Sequence, residues 1–113
     1  MRSDLATTDH QFMNNPPIAQ IVALLGRKWL MRVIWELRSA PLSFRELQRA
    51  CGDLSPSVLN QRIKDLVATG LVERQPAGYA LTDLGRELLQ IYQPLSEWAQ
   101  RWVATTGGYP PPA

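Results

Sequence analysis

One cysteine, Cys51, and one histidine, His10, are all the chain has of the two residue types that most often bind metals or attack substrates. A lone cysteine cannot close an internal disulfide, which points to a reducing compartment, the cytoplasm. His10 lies in a polar stretch, so neither a Ser/His nor a Cys/His pair is supported, nor a His-rich metal site. The carboxylates are scattered, and no enzyme, metal or cofactor is expected. Long apolar runs are missing as well. The most apolar stretch, Ile18 to Leu25, is interrupted by Gln20 and stops at Gly26, Arg27 and Lys28, far short of the roughly 20 residues of a membrane span. Residues 1–15 have no apolar segment of the kind an export signal needs, so neither export nor a membrane partner is expected.

What remains is globular composition. The chain is 45% hydrophobic and 19% charged over 113 residues, enough for one modest core and therefore one domain. Its net charge is only +2, but the charge is unevenly placed. From Arg27 to Lys64 there are eight basic side chains against three acidic ones, whereas the rest of the chain is net acidic. Clustered basicity is the electrostatic footprint of phosphate binding when the side chains share a face.

Pro16 and Pro17, with Asn15 as cap, open a first helix with apolar residues at Ile18, Ile21, Val22 and Leu25. The stripe Trp29, Leu30, Val33, Ile34 and Leu37 predicts a second helix from about Lys28 to Arg38. Ser43-Phe44-Arg45-Glu46 is a capping box for a third, whose buried side is Phe44, Leu47, Ala50 and Cys51 and which Gly52 stops. Ser55-Pro56 opens a fourth that lasts to Gly70. Leu71–Gln75 and Tyr79–Thr82 flank Pro76-Ala77-Gly78 as a hairpin. A last helical region begins at Thr82 or Asp83. It carries an apolar seam of Leu84, Leu88, Ile91, Leu95, Trp98 and Trp102, and Pro94 is expected to divide it into two pieces.

The fold class is thus mainly α (α+β): a helix-turn-helix with a short two-stranded wing and terminal helices. Residues 1–15 are expected to be a flexible tail, 16–104 the domain and 105–113 a disordered tail. The fourth helix decides whether it can read DNA. At about 100° per residue, Asn60, Gln61 and Lys64 fall within roughly 60° of Ser57, and Leu59, Ile63 and Leu66 lie opposite. Asn60 and Gln61 can pair with adenine, while Lys64 and Arg62 can reach guanine or phosphate depending on their tilt; Ser57, Asn60, Gln61 and Lys64 are the base-contacting candidates. Arg45, Arg49, Ser55, Arg62 and Arg74 are the candidates for the DNA backbone. For a homodimer interface built from the terminal helices the candidates are Ile18, Ile21, Leu25, Leu88, Ile91, Leu95, Trp98 and Trp102. Cys51 reads as a small buried hydrophobe, and the four tryptophans as core or interface.

Gly26-Arg27-Lys28-Trp29, Ser43-Phe44-Arg45-Glu46-Leu47, Leu54-Ser55, Gly70-Leu71-Val72-Glu73-Arg74 and Tyr79-Ala80-Leu81-Thr82-Asp83-Leu84-Gly85 together resemble HxlR-type regulators, relatives of the MarR group. The similarity spans roughly Pro16 to Trp102. It implies a dimeric winged-helix transcription factor, more often a repressor, on double-stranded DNA with a pseudo-palindromic operator, and it leaves a small-molecule effector open. Three positions depart from the family pattern. Pro16 stands where many members have a sensing cysteine, the wing is short with Arg74 as its one basic residue, and Ser43 replaces a usual basic residue. The alternative is a winged-helix protein-interaction module that does not touch DNA.

Overall fold

Three residues of one short helix, Leu30, Val33 and Ile34, have no exposed surface, and the rest of the protein is arranged around them. The computed structural model describes residues 16–110; the expected N-terminal tail (1–15) and the last residues of the expected C-terminal tail (111–113) lie outside the described residues. Chain order is α1 (Pro16–Leu25), α2 (Leu30–Glu36), α3 (Phe44–Ala50), α4 (Pro56–Ala68), β1 (Val72–Gln75), β2 (Gly78–Leu81) and α5 (Asp83–Thr106). The buried cluster joins Leu24 of α1, the α2 residues, Leu47, Cys51, the inner side of α4 at Leu59, Ile63 and Leu66, and Leu71, Val72 and Leu81.

Local chemistry sets most element starts. The capping box forms in full: the Glu46 N–H donates to Ser43 Oγ at 3.1 Å and the Ser43 N–H donates to Glu46 Oε1 at 2.8 Å. The bond from the Ser43 backbone N–H, and after it the Ser43 hydroxyl, holds the Glu46 carboxyl below its usual range, because both favour the charged form. Ser55 caps α4 with Pro56 at its first position, and Thr82 caps α5 while donating to the Gly70 carbonyl at 2.6 Å. Burial pushes the Cys51 thiol up, and Arg32 offsets this only in part, so the side chain stays a protonated apolar filler.

Two elements differ from the sequence-based expectation. Helix α2 is shorter than Lys28 to Arg38 because Trp29 adopts a left-handed backbone (φ 76°), which an α-helix cannot contain, and Leu37 already departs from helical geometry. Helix α5 is one continuous element through Pro94, not two pieces. Proline removes only its own donor, Pro94 lies on the exposed side, and Leu88 and Leu89 in the preceding turns pack on the core, so the flanking turns persist. The helix also runs past residue 104 to Thr106, where Gly107 ends it with φ 82°.

β1 and β2 pair antiparallel, with Val72 opposite Leu81 and Gln75 opposite Gly78, so Pro76-Ala77 alone forms the tip. A third segment joins them. Leu42 and Tyr79 exchange backbone bonds of 3.0 and 2.8 Å, pinning the hairpin to the chain just before α3. Gly78 makes this approach feasible: its φ is +132°, and a Cβ there would overlap the Leu42 backbone.

Candidate nucleic-acid interface

The pairing of α3 with α4 depends on a turn of a few residues whose geometry is fixed by two bonds. Gly52 and Asp53 both take left-handed backbones (φ 74° and 59°), reversing the chain. The Asp53 N–H donates to the Gln48 carbonyl, and Gln48 Nε2 donates to the Leu54 carbonyl, each at 2.9 Å. The two helices are held as one unit, and α4 is further seated on the core by Leu59, Ile63 and Leu66, none more than 2% exposed. Gln48 as the lock of this turn was not legible in the sequence, where it is one polar residue on a helix among several.

With its leucine side inward, α4 presents Ser57, Asn60, Gln61 and Lys64 to solvent, and all four are exposed. The structure brings these base-contacting candidates onto one free surface. Arg45 and Arg49 of α3 are exposed, as are Ser55 at the start of α4 and Arg74 in the wing. Ser55 Oγ accepts from the Val58 N–H at 3.3 Å, which leaves its O–H free to donate. Arg74 stacks its guanidinium 5.2 Å from the Tyr79 ring centroid, so the wing's one cation has a defined place.

Arg62 departs from the role expected of it. Its side chain is 18% exposed, its guanidinium pairs with Asp65 Oδ2 at 2.8 Å, and its Nε is buried without a partner among the described residues. It braces α4 from within instead of standing free for a phosphate. Asp65 also accepts from Arg27 at 3.3 Å and from Gln61 Nε2 at 3.1 Å. Arg27 comes from the connection between α1 and α2, so this carboxylate ties a distant part of the chain to the outer side of α4. No pattern in the sequence links residues 27 and 65.

The candidate interface residues of the terminal helices divide into two groups. Ile21, Leu25 and Leu88 pack partly buried against the protein's own core. Ile91, Leu95, Trp98 and Trp102 of α5 stay exposed, at 70, 53, 50 and 37%, and Ile18 of α1 is 37% exposed. Trp98 and Trp102 stack with ring centroids 6.3 Å apart. No described helix is long and apolar enough to cross a membrane, and the described residues contain no cluster of three or more potential metal ligands.

The model of the HxlR-like helix-turn-helix family matches residues 24–106. The chain belongs to that family. Among relatives of this HxlR-like protein is the HTH-type transcriptional regulator YvaP of Bacillus subtilis, 30% identical over 78% of this chain and 88% of the relative. Among solved structures, quinone-bound YodB from B. subtilis is 31% identical, covers 76% of this chain and 98% of its own, and superposes with a TM-score of 0.72. A Thermoplasma volcanium protein described as a possible HxlR family transcriptional factor is 32% identical over 73% of this chain and 80% of its own, with a TM-score of 0.64. The winged helix-turn-helix fold and membership of a family of transcriptional regulators, not enzymes, follow for this HxlR-like chain.

Proposed function

We propose that this chain is a cytoplasmic, sequence-specific DNA-binding repressor that works as a homodimer on a pseudo-palindromic operator. The observation that carries the reading is the free polar face of α4, where Ser57, Asn60, Gln61 and Lys64 are all exposed on a helix whose opposite side is buried. A helix laid in the major groove needs this division of faces. Ser57, Asn60, Gln61 and Lys64 read base edges, and Arg45, Arg49, Ser55 and Arg74 hold the DNA backbone. Arg62, paired with Asp65, acts on the helix and not on phosphate.

The dimer is built from α1 and α5, which leave Ile18, Ile91, Leu95, Trp98 and Trp102 exposed; large apolar side chains grouped on a surface mark interaction sites. A two-fold pair would set the recognition helices about 34 Å apart, one turn of DNA. Repression then follows from steric occupation of a promoter.

Titration against random duplexes at two salt concentrations tests the DNA reading. Affinity is expected to fall with salt with a log–log slope of about −0.9 per phosphate contact. Arg45→Ala and Arg49→Ala should each weaken binding to every sequence and make that slope shallower by about 1. A protein-interaction module would give no salt-dependent binding at all, and that result would remove the proposal.

A further inference from the structure

If α4 reads DNA, as proposed above, the geometry around Asp65 bears on how it does so. Asp65 lies one helical turn beyond Gln61, between the outer and inner sides of α4, and its side chain is only 13% exposed. Its two oxygens have different partners. Oδ2 is held by Arg62 at 2.8 Å and by Arg27 at 3.3 Å, and Oδ1 accepts from Gln61 Nε2 at 3.1 Å. Because Arg27 belongs to the connection between α1 and α2, the carboxylate is anchored from outside α4 as well as from within it. It cannot simply follow the glutamine.

A glutamine amide with no fixed neighbour can turn about its last torsion and exchange its oxygen for its amino group at little cost, since that torsion is broad and nearly two-fold. In one orientation it accepts from adenine N6–H and donates to N7; in the other it swings its amino group toward the two acceptors of guanine, O6 and N7. A carboxylate is acceptor-only, so only the orientation with Nε2 toward Asp65 makes the bond. One N–H is spent on Asp65. The other N–H and Oε1 have no partner among the described residues, and Gln61 is exposed.

The geometry points to Asp65 as a positioning residue for base readout: it fixes the order in which Gln61 presents its acceptor and its remaining donor, and so commits Gln61 to adenine and disfavours guanine. Specificity at that base pair belongs to Gln61 and Asp65 together, with Arg27 as the brace. Asparagine at position 65 would abolish the commitment, because its own amino group can donate to Gln61 Oε1 and satisfy the reversed orientation equally well.

The test is selection of bound duplexes from a random pool by the full chain and its variants. Gln61→Ala identifies the base pair that Gln61 reads. Asp65→Asn is expected to lower the adenine-over-guanine preference there by about tenfold, to leave the other positions unchanged, and to add nothing when combined with Gln61→Ala. Arg27→Ala, which keeps the Gln61–Asp65 bond, should retain most of the preference even if overall affinity drops. A merely structural role for Asp65 would instead lower affinity for all sequences alike, and an Asp65→Asn variant with the parent's base preference would overturn the inference. Should Asp65→Asn not fold, Asp65→Glu keeps an acceptor-only group on the same helix side; it should hold adenine, and loss of that preference would count against the proposal. A parent protein that selects no sequence defeats the DNA reading itself, a separate outcome.

Discussion

Leu66→Ala is expected to destabilise the fold by about 2–5 kcal/mol, a large part of the roughly 5–15 kcal/mol that holds a domain together. Leu66 has no exposed surface and sits in the last turn of α4. Its carbonyl accepts from the Leu71 N–H at 3.0 Å, where the chain leaves the helix for the wing. Truncation removes apolar contact from the core and leaves a cavity that neighbouring α2 and β1 cannot readily fill, since Ile34 and Val72 are themselves buried. At about 4–8 °C per kcal/mol for a domain near this size, a melting curve should shift down by at least ~8 °C. Asn60→Ala, on the exposed side of the same helix, should move the melt very little. Equal shifts for the two variants would contradict the assignment of inner and outer sides.

The second large effect concerns association. Ile91 and Leu95 are 70% and 53% exposed on α5, and the double variant Ile91→Asp, Leu95→Asp places two charges on the surface proposed to join protomers. Burying unpaired carboxylates in an apolar contact is costly enough to leave the protein monomeric. A symmetric reader gains its second half-site intramolecularly, and losing that link is expected to weaken operator binding by about 10²- to 10⁴-fold. The fold should survive, because neither residue belongs to the buried cluster. Sedimentation velocity beside the same operator titration checks both statements. A variant that remains a dimer with parental affinity would show that the partner contact lies elsewhere.

How much of this could be read from the sequence depends on the distance over which each interaction acts. The capping box at Ser43 and Glu46, the Ser55-Pro56 start of α4 and the two-sided character of that helix are encoded within a few residues, and the structure has all three. The hairpin was legible because Pro76-Ala77-Gly78 sits between two short apolar-patterned runs. Other features depend on contacts between distant residues. The Leu42–Tyr79 bridge and the Arg27–Asp65 pair join segments that carry no mutual signature. The left-handed Trp29 gave no warning, since tryptophan has no preference for that conformation. Pro94 suggests a break because local propensity disfavours it, but α5 is continuous through it, with Leu88 and Leu89 of the preceding turns packed on the core. Arg62 reads as a free cation in the sequence because a helical wheel gives a residue's angle but not its partner, here Asp65. Of the residues expected at the dimer interface, Ile21, Leu25 and Leu88 already serve the protomer's own core, a division that an apolar seam alone cannot express.

The central claim is that the outward side of α4 reads bases. Substituting Asn60, Gln61 and Lys64 together by alanine, then selecting bound duplexes from a random pool, addresses it most directly. The parent should enrich one two-fold-related sequence, and the triple variant should fold, keep its salt-dependent affinity through Arg45 and Arg49, and no longer enrich that sequence. Recovery of the parent's sequence by the triple variant would place base recognition outside α4.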